Sequence, residues 1–136
     1  MKHPALRLYR LAVQRFEDAV LLIRGERRVG GIYLGGYAVE CALKALILAQ
    51  LPATAESSAM ATWRGAVAHN LEWLREQYIK AGGAPFPPEV VRTFAKVTAT
   101  WSVDLRYYPG QISAGDTRLF MEAVQCILLW SKGRLG

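Results

Sequence analysis

The chain has 136 residues and a formal net charge of +6, with 52% hydrophobic and 21% charged residues. The length favours a single domain over residues 1–136, and the composition excludes an extensively disordered chain. The two cysteines lie in no paired motif, so we expect no disulfide scaffold, no metal site and no cofactor. Charges interrupt the apolar N-terminal segment, which is not the pattern of a signal peptide. We therefore expect a cytoplasmic protein.

Helical periodicity marks the first element, over about residues 4–24. Its apolar stripe repeats at spacings of three and four and consists of Tyr9, Val13, Phe16, Val20 and Ile23. A break rich in glycine and arginine follows this helix at residues 25–30.

The second helix is predicted to lie at the centre of the fold. From residue 32 to residue 48 it is apolar or small on all sides except at Glu40 and Lys44, as expected of a buried helix. These two charges near its middle argue against a membrane span. Gly31, Gly35 and Gly36 favour the close approach of another helix, because no phosphate-loop pattern surrounds them.

The rest of the chain predicts a loop at residues 52–62 and three further helices. Asn70 is the expected cap of the third helix, the fourth begins near Pro88, and Ser113 or Asp116 caps the fifth. The residues expected to face inward in the last two helices are Val91, Phe94, Thr98, Trp101, Phe120, Val124, Ile127 and Leu128. No run alternates at period two, so we predict an all-α, up-and-down bundle of four to five helices.

Glu40 and Lys44 form the first candidate site. They are one helical turn apart in the favourable order for an ion pair, which Arg106 is able to complete. In one interpretation this pair is structural. In the other it belongs to a polar binding groove together with Tyr33 and Tyr37, which share its helix face.

Arg64 and His69 form the second candidate site. Arginine holds phosphate and histidine transfers protons near neutral pH, so this pair suits metal-independent cleavage of RNA through its 2′-hydroxyl. The alternative is a histidine that makes a local hydrogen bond near a helix N-terminus.

Arg106 and Tyr107 form the third candidate site, shortly after Trp101. Arginine beside aromatic rings grips phosphate while a ring stacks on a base. The alternative is that Arg106 fixes a helix end by contacting the carboxylate of Asp104 or Glu40.

Three blocks in this order, YLGGYAVECALKALI, HNLEWL and DLRYYPG, resemble the HEPN domain family. The resemblance implies an all-α bundle that often dimerises. Many members are RNA-cleaving toxins neutralised by a partner of the minimal nucleotidyltransferase type, and others bind nucleotides or proteins.

The chain departs from the pattern of the catalytic HEPN members. Those members carry an arginine followed four to six residues later by a histidine, close to the start of the last long helix. Arg106 has the place of that arginine, but no histidine follows it. Arg64 and His69 have the spacing but precede the third helix, where His69 resembles the histidine that opens the family's H-[DN]-L helix.

We therefore predict a nucleotide- or RNA-binding component of a two-gene, toxin–antitoxin type system. Its binding residues are predicted to be Tyr33, Tyr37, Glu40, Lys44, Arg106 and Tyr107. One alternative is an endoribonuclease that uses Arg64 and His69. The other is a dimeric protein-interaction module. The expected partners are a second copy of the chain, a nucleotidyltransferase-type protein and RNA or a nucleotide, but not a membrane.

Overall fold

The computed structural model describes residues 3–135, which are mostly helical and contain no β-strand. The α-helices are α1 (His3–Arg24), α2 (Arg28–Gln50), α3 (Glu56–Ala61), α4 (Leu71–Lys80), α5 (Pro88–Thr100) and α6 (Ala114–Leu135). Three 3₁₀ segments, Ala53–Ala55, Gly65–His69 and Val103–Tyr107, lie between them. The all-α prediction is confirmed.

Helix α3 corrects the prediction of a loop over residues 52–62. Its sequence ESSAMA combines small helix-compatible residues with an acidic side chain, Glu56, in the first turn. The segment has no apolar periodicity and none of its residues is buried, so its sequence gave no amphipathic signal.

Helix α2 is the central helix, as predicted, and α1, α4 and α6 pack against it. Its buried residues lie on all sides of the helix axis. Within residues 3–135 it is also the one helix whose length and composition would suit a membrane span, and most of its apolar stretch is buried inside the bundle.

Glycines on α2 allow its neighbours to approach closely. Gly31 faces Ile23 of α1, Gly35 faces Phe120 of α6, and Gly36 lies against the indole of Trp101. A Cβ atom at Gly36 would overlap that indole. The close-packing interpretation of these glycines is confirmed.

The predicted stripe of α1 is only partly right. The helix turns a row of small residues toward α2, and its buried positions are Ala5, Tyr9, Ala12 and Ala19. Val13 is exposed, and Phe16, Val20 and Ile23 are half-buried. Alanine lets two helix axes come close, so the larger side chains remain at the groove between α1 and α6.

The buried face of helix α5 also differs from the prediction, in its first turn, where it is displaced by one residue. Val91 is exposed, whereas Val90, Phe94 and Val97 are buried. The true stripe therefore begins one residue earlier than predicted, although Trp101 at its end is buried as expected.

Two caps fix the helices that border the candidate sites. The side chain of Asn70 accepts a hydrogen bond from the Trp73 N–H at 3.0 Å, so Asn70 caps α4 as predicted and the helix begins at Leu71. Before α6, Ser113 Oγ accepts from the Asp116 N–H at 3.0 Å. Ser113 is thus the cap, rather than Asp116.

Candidate functional site

Glu40 is the centre of the most completely hydrogen-bonded polar cluster in the described chain. Its side chain is 2% exposed, and Lys44 Nζ donates to its Oε2 at 2.8 Å. The ring nitrogen Nδ1 of His69 lies 2.9 Å from the other carboxylate oxygen, Oε1. The predicted Glu40–Lys44 pair is confirmed. Its third member is His69 and not Arg106, because α2 packs against α4 and His69 stands just before the cap of α4.

Lys44 is also covered by an aromatic ring. Its Nζ lies 5.3 Å from the ring centroid of Trp63, which adds a cation–π contact to the ion pair. A buried carboxylate costs several kcal/mol unless it is paired and hydrogen-bonded, and Glu40 meets both conditions.

The hydrogen bond to Glu40 fixes the role of each nitrogen of His69. Because a carboxylate only accepts hydrogen bonds, the tautomer of His69 that satisfies this contact carries its proton on Nδ1. In the neutral ring Nε2 is then an acceptor. The His69 side chain is 42% exposed, and within residues 3–135 no protein group bonds to Nε2.

His69 lines a cleft of about 400 Å³ between the start of α4 and the end of α5. The cleft is lined by Ala66, His69, Asn70, Leu71, Glu72, Thr98, Trp101, Ser102 and Val103. Its walls therefore mix polar and apolar side chains, with the imidazole of His69 and the indole of Trp101 as the rings among the described residues.

Trp101 is held rigidly at this cleft. Its Nε1 donates to the backbone carbonyl of Tyr33 at 2.9 Å, and the two rings lie 6.3 Å apart between centroids. Because the indole also fits against Gly36, α2 determines the position of the cleft wall.

The Val103–Tyr107 segment continues from the cleft to the surface. Ser102 Oγ accepts from the Asp104 N–H at 3.3 Å, which caps the segment. Arg106 Nε donates to the Val103 carbonyl at 3.1 Å, and its guanidinium carbon lies 5.3 Å from the Tyr107 ring centroid. Tyr107 is 75% exposed.

The guanidinium of Arg106 has no acidic partner in the described part of the chain. The interpretation in which Arg106 contacts the carboxylate of Asp104 or Glu40 is therefore wrong. Its only contacts there are with its own segment, which leaves it open to an external anion.

Tyr37 is half-buried one turn from Glu40 and does not line the cleft. Burial is the main cause that raises its pKa, and the neighbouring Cys41 and Glu40 add to it. Burial likewise raises the pKa of the Cys41 thiol from 9.0 to about 12, with Glu40 acting in the same direction. Both groups therefore stay neutral, and the thiol is not a reactive nucleophile.

Arg64 is exposed at the start of the Gly65–His69 segment. In the described structure the Arg64 guanidinium makes no contact with His69. The two residues therefore lie at the two ends of one short segment without touching each other. The sequence did not predict that Trp63 covers Lys44. The only indication of a role for Trp63 was its position next to Arg64.

The structure thus brings Glu40, Lys44 and His69 together and puts Tyr33 behind the cleft wall. Arg106 and Tyr107 are exposed and belong to the same 3₁₀ segment as Val103, which lines the cleft. No group of three or more His, Cys, Asp or Glu side chains within residues 3–135 is arranged to hold a metal ion. Comparisons with protein-family models, curated proteins and solved structures found no match to this chain.

Proposed function

We propose that this HEPN-like bundle is a nucleotide- or RNA-binding protein and that the ligand lies along the cleft and the adjoining Val103–Tyr107 segment. The observation that carries the proposal is the exposed Arg106–Tyr107 pair, whose guanidinium has no carboxylate partner among the described residues. A stacked arginine and an exposed tyrosine ring suit a phosphate and a base.

The continuity of the segment supports the proposal. Ser102 and Val103 line the cleft, and Arg106 and Tyr107 follow them on the surface within one capped 3₁₀ segment. One nucleotide unit is thus able to contact both parts. The net charge of +6 adds a favourable long-range attraction for a polyanion.

The test is a titration of a labelled single-stranded RNA, followed by fluorescence anisotropy at two salt concentrations. We expect affinity to fall steeply with salt, because phosphate contacts release counterions. Arg106→Ala should weaken binding about tenfold. Arg118→Ala, which removes an equal charge from an exposed α6 site beside Glu122, is the matched control.

Two results would contradict the proposal. One is the absence of binding at low salt to both RNA and ATP. The other is equal weakening by Arg106→Ala and Arg118→Ala, which would indicate a diffuse charge effect and no site at the segment.

The two-gene part of the proposal depends on the resemblance to HEPN proteins. We expect a nucleotidyltransferase-type partner in the cytoplasm to co-purify with the tagged chain expressed in its native host. Purification of the chain without any such protein, under conditions that preserve its complexes, would argue for a free-standing binder.

A second candidate function, metal-independent RNA cleavage, is favoured by the Glu40–His69 hydrogen bond. A carboxylate that orients an imidazole is a common arrangement for general acid–base catalysis. In this proposal His69 transfers the proton and the exposed Arg64 moves onto the scissile phosphate. Products with 2′,3′-cyclic phosphate ends should form in the presence of a chelator and disappear in His69→Ala. Unchanged cleavage in that variant would exclude it.

A third candidate function, a dimeric interaction module, is favoured by the groove between α1 and α6. The groove has a volume of about 470 Å³, and Phe16, Val20, Ile23 and Met121 form its apolar part. Exposed apolar surface of this kind often marks a protein interface. Light scattering should give twice the chain mass of 15.1 kDa for a dimer, and the single mass for a monomer.

A further inference from the structure

The cleft beside α4 presents hydrogen-bond acceptors rather than cations. His69 contributes Nε2, which the bond between Nδ1 and Glu40 leaves as an acceptor in the neutral ring. Glu72 contributes a carboxylate, which also only accepts. Among the residues that the structure describes, no lysine or arginine lines this cleft.

The other polar side chains of the cleft already make hydrogen bonds within the protein. Asn70 accepts from the Trp73 N–H, Thr98 Oγ1 donates to the Ala95 carbonyl, and Ser102 Oγ accepts from the Asp104 N–H. Nε2 of His69 and the exposed Glu72 carboxylate are therefore the acceptors that a ligand can use without displacing a hydrogen bond of the protein. Of the two, Nε2 belongs to the side chain that a buried partner, Glu40, holds in place.

A phosphate is a poor occupant of this cleft, because it brings only acceptors to a wall that carries a carboxylate. A sugar hydroxyl is a good occupant, because it donates. The cation that a phosphate needs is Arg106, which is exposed three residues after Val103 in the segment that leaves the cleft. The charges thus separate a sugar position from a phosphate position.

We propose that the cleft selects ribose over deoxyribose, with the 2′-hydroxyl donating to Nε2 of His69 and Glu40 acting as the positioning residue for that ring. This inference depends on the proposed function, since it names the class of nucleotide that the same site takes. The 2′-hydroxyl is the group by which a protein distinguishes RNA from DNA at a given position.

The Glu40–Lys44 pair contributes to the positioning of the His69 ring. Lys44 donates to Oε2 of Glu40, and the other carboxylate oxygen, Oε1, lies at Nδ1 of His69. An amide at position 40 is able to donate to Nδ1 instead. The proton would then move to Nε2, which would become a donor.

The test compares three labelled oligonucleotides of one sequence: RNA, DNA and 2′-O-methyl RNA. The methylated strand keeps an oxygen at the 2′ position but has no hydroxyl to donate. We expect the wild-type protein to bind RNA about three- to tenfold more tightly than either analogue, the range for one net hydrogen bond.

His69→Ala should bind the three strands equally, and it should fold because this side chain is partly exposed. Glu122→Gln is the control for Glu40→Gln, because Glu122 lies in the α1–α6 groove, which shares no residue with the cleft. Glu40→Gln should reduce the preference for RNA, whereas Glu122→Gln should leave it unchanged.

A nitrogen NMR spectrum of the imidazole rings separates positioning from simple structural support. The His69 signals, assigned by their loss in His69→Ala, should report a proton on Nδ1 in the wild type and a shift toward Nε2 in folded Glu40→Gln. An unchanged tautomer in that variant would contradict the role of Glu40.

Equal affinity of the wild-type protein for RNA and 2′-O-methyl RNA would overturn the inference while leaving the proposed function standing. A preference for RNA that persists in His69→Ala would also overturn the inference. Absence of binding to all three strands and to ATP at low salt would overturn the proposed function together with it.

Discussion

Two cations of this chain lie over aromatic rings at the same distance, yet they occupy opposite environments. Lys44 Nζ and the Arg106 guanidinium carbon are each 5.3 Å from a ring centroid, that of Trp63 and that of Tyr107. Lys44 is 12% exposed and donates to a buried carboxylate. Arg106 is exposed, and the described chain offers it no carboxylate.

The comparison shows that a cation–π contact does not by itself indicate a binding site. What differs is the balance of charge around each cation. The Glu40 cluster satisfies its charges internally, and removing one member leaves another buried and unpaired. The Arg106 segment leaves its charge to solvent or to a ligand, so removing it costs the fold little.

The largest expected effect comes from breaking the buried cluster. Glu40→Ala should lower the free energy of unfolding by about 3 kcal/mol, because it leaves the Lys44 ammonium largely buried without a carboxylate. Urea denaturation followed by far-UV circular dichroism measures the change.

A double variant separates the loss of a partner from the loss of packing. Glu40→Leu combined with Lys44→Leu removes both charges and should recover most of the stability, as replacement of buried ion pairs by apolar residues often does. A loss in Glu40→Ala below about 1 kcal/mol would show that the cluster is effectively solvated.

The next effect tests the connection between the two regions, which runs through Trp101. In Gly36→Ala the new methyl group would overlap the indole that forms the cleft wall, and we expect a loss of about 2 kcal/mol from overpacking. The fluorescence of the tryptophans should also change. Thermal unfolding and fluorescence spectra provide the two measurements.

Gly133→Ala is the matched control, because a Cβ atom there meets no atom of the described residues within 4 Å. This substitution within α6 should raise stability by about 0.5–1 kcal/mol through the helix propensity of alanine. If both variants were stabilised, Trp101 would not be confined by α2.

Much of the fold could be predicted from the sequence because periodicity and caps are local signals. The uniformly apolar character of α2 indicated its central position, and Asn70 marked the start of α4. The inward face of α1 could not be obtained in this way. Its burial depends on how closely alanines allow α1 to approach α2, which hydrophobicity alone does not encode.

The site was predictable only in part for a similar reason. Glu40 and Lys44 are one turn apart, so their contact followed from helix geometry. The bond from His69 to Glu40 joins residues 29 positions apart and depends on the docking of α4 on α2. The isolation of Arg106 from carboxylates is also a property of tertiary structure.

A smaller expected effect, the pH dependence of stability, tests how well water is excluded from the surroundings of Glu40. The Cys41 thiol beside it has its pKa raised from 9.0 to about 12 in the folded chain. Above pH 9 the unfolded chain loses this proton and the folded chain keeps it, so stability should fall as pH rises from 9 toward 12. Burial raises the pKa of Tyr9, Tyr37 and Tyr78, which acts in the same direction at higher pH.

Urea unfolding at pH 8 and pH 10 measures this dependence. The part due to Cys41 should be about 1 kcal/mol, and it should be absent from Cys41→Ala. An identical pH dependence in the wild type and the variant would mean that water reaches the thiol and, with it, the environment of Glu40.

The smallest effect on stability is expected at Arg106. A small effect there, beside a larger one at Lys44, is what distinguishes the exposed cation from the buried one. Arg106→Ala removes one exposed hydrogen bond to the Val103 carbonyl and the contact with Tyr107, so the free energy of unfolding should change by less than about 0.5 kcal/mol. Lys44→Ala, measured in parallel, should cost at least about 1 kcal/mol because the buried Glu40 loses a charged donor. If the two variants were equally destabilised, the guanidinium of Arg106 would be fixing the Val103–Tyr107 segment. The guanidinium would then already be engaged within the protein and would not be free to bind a phosphate. The binding site would have to lie elsewhere on the chain.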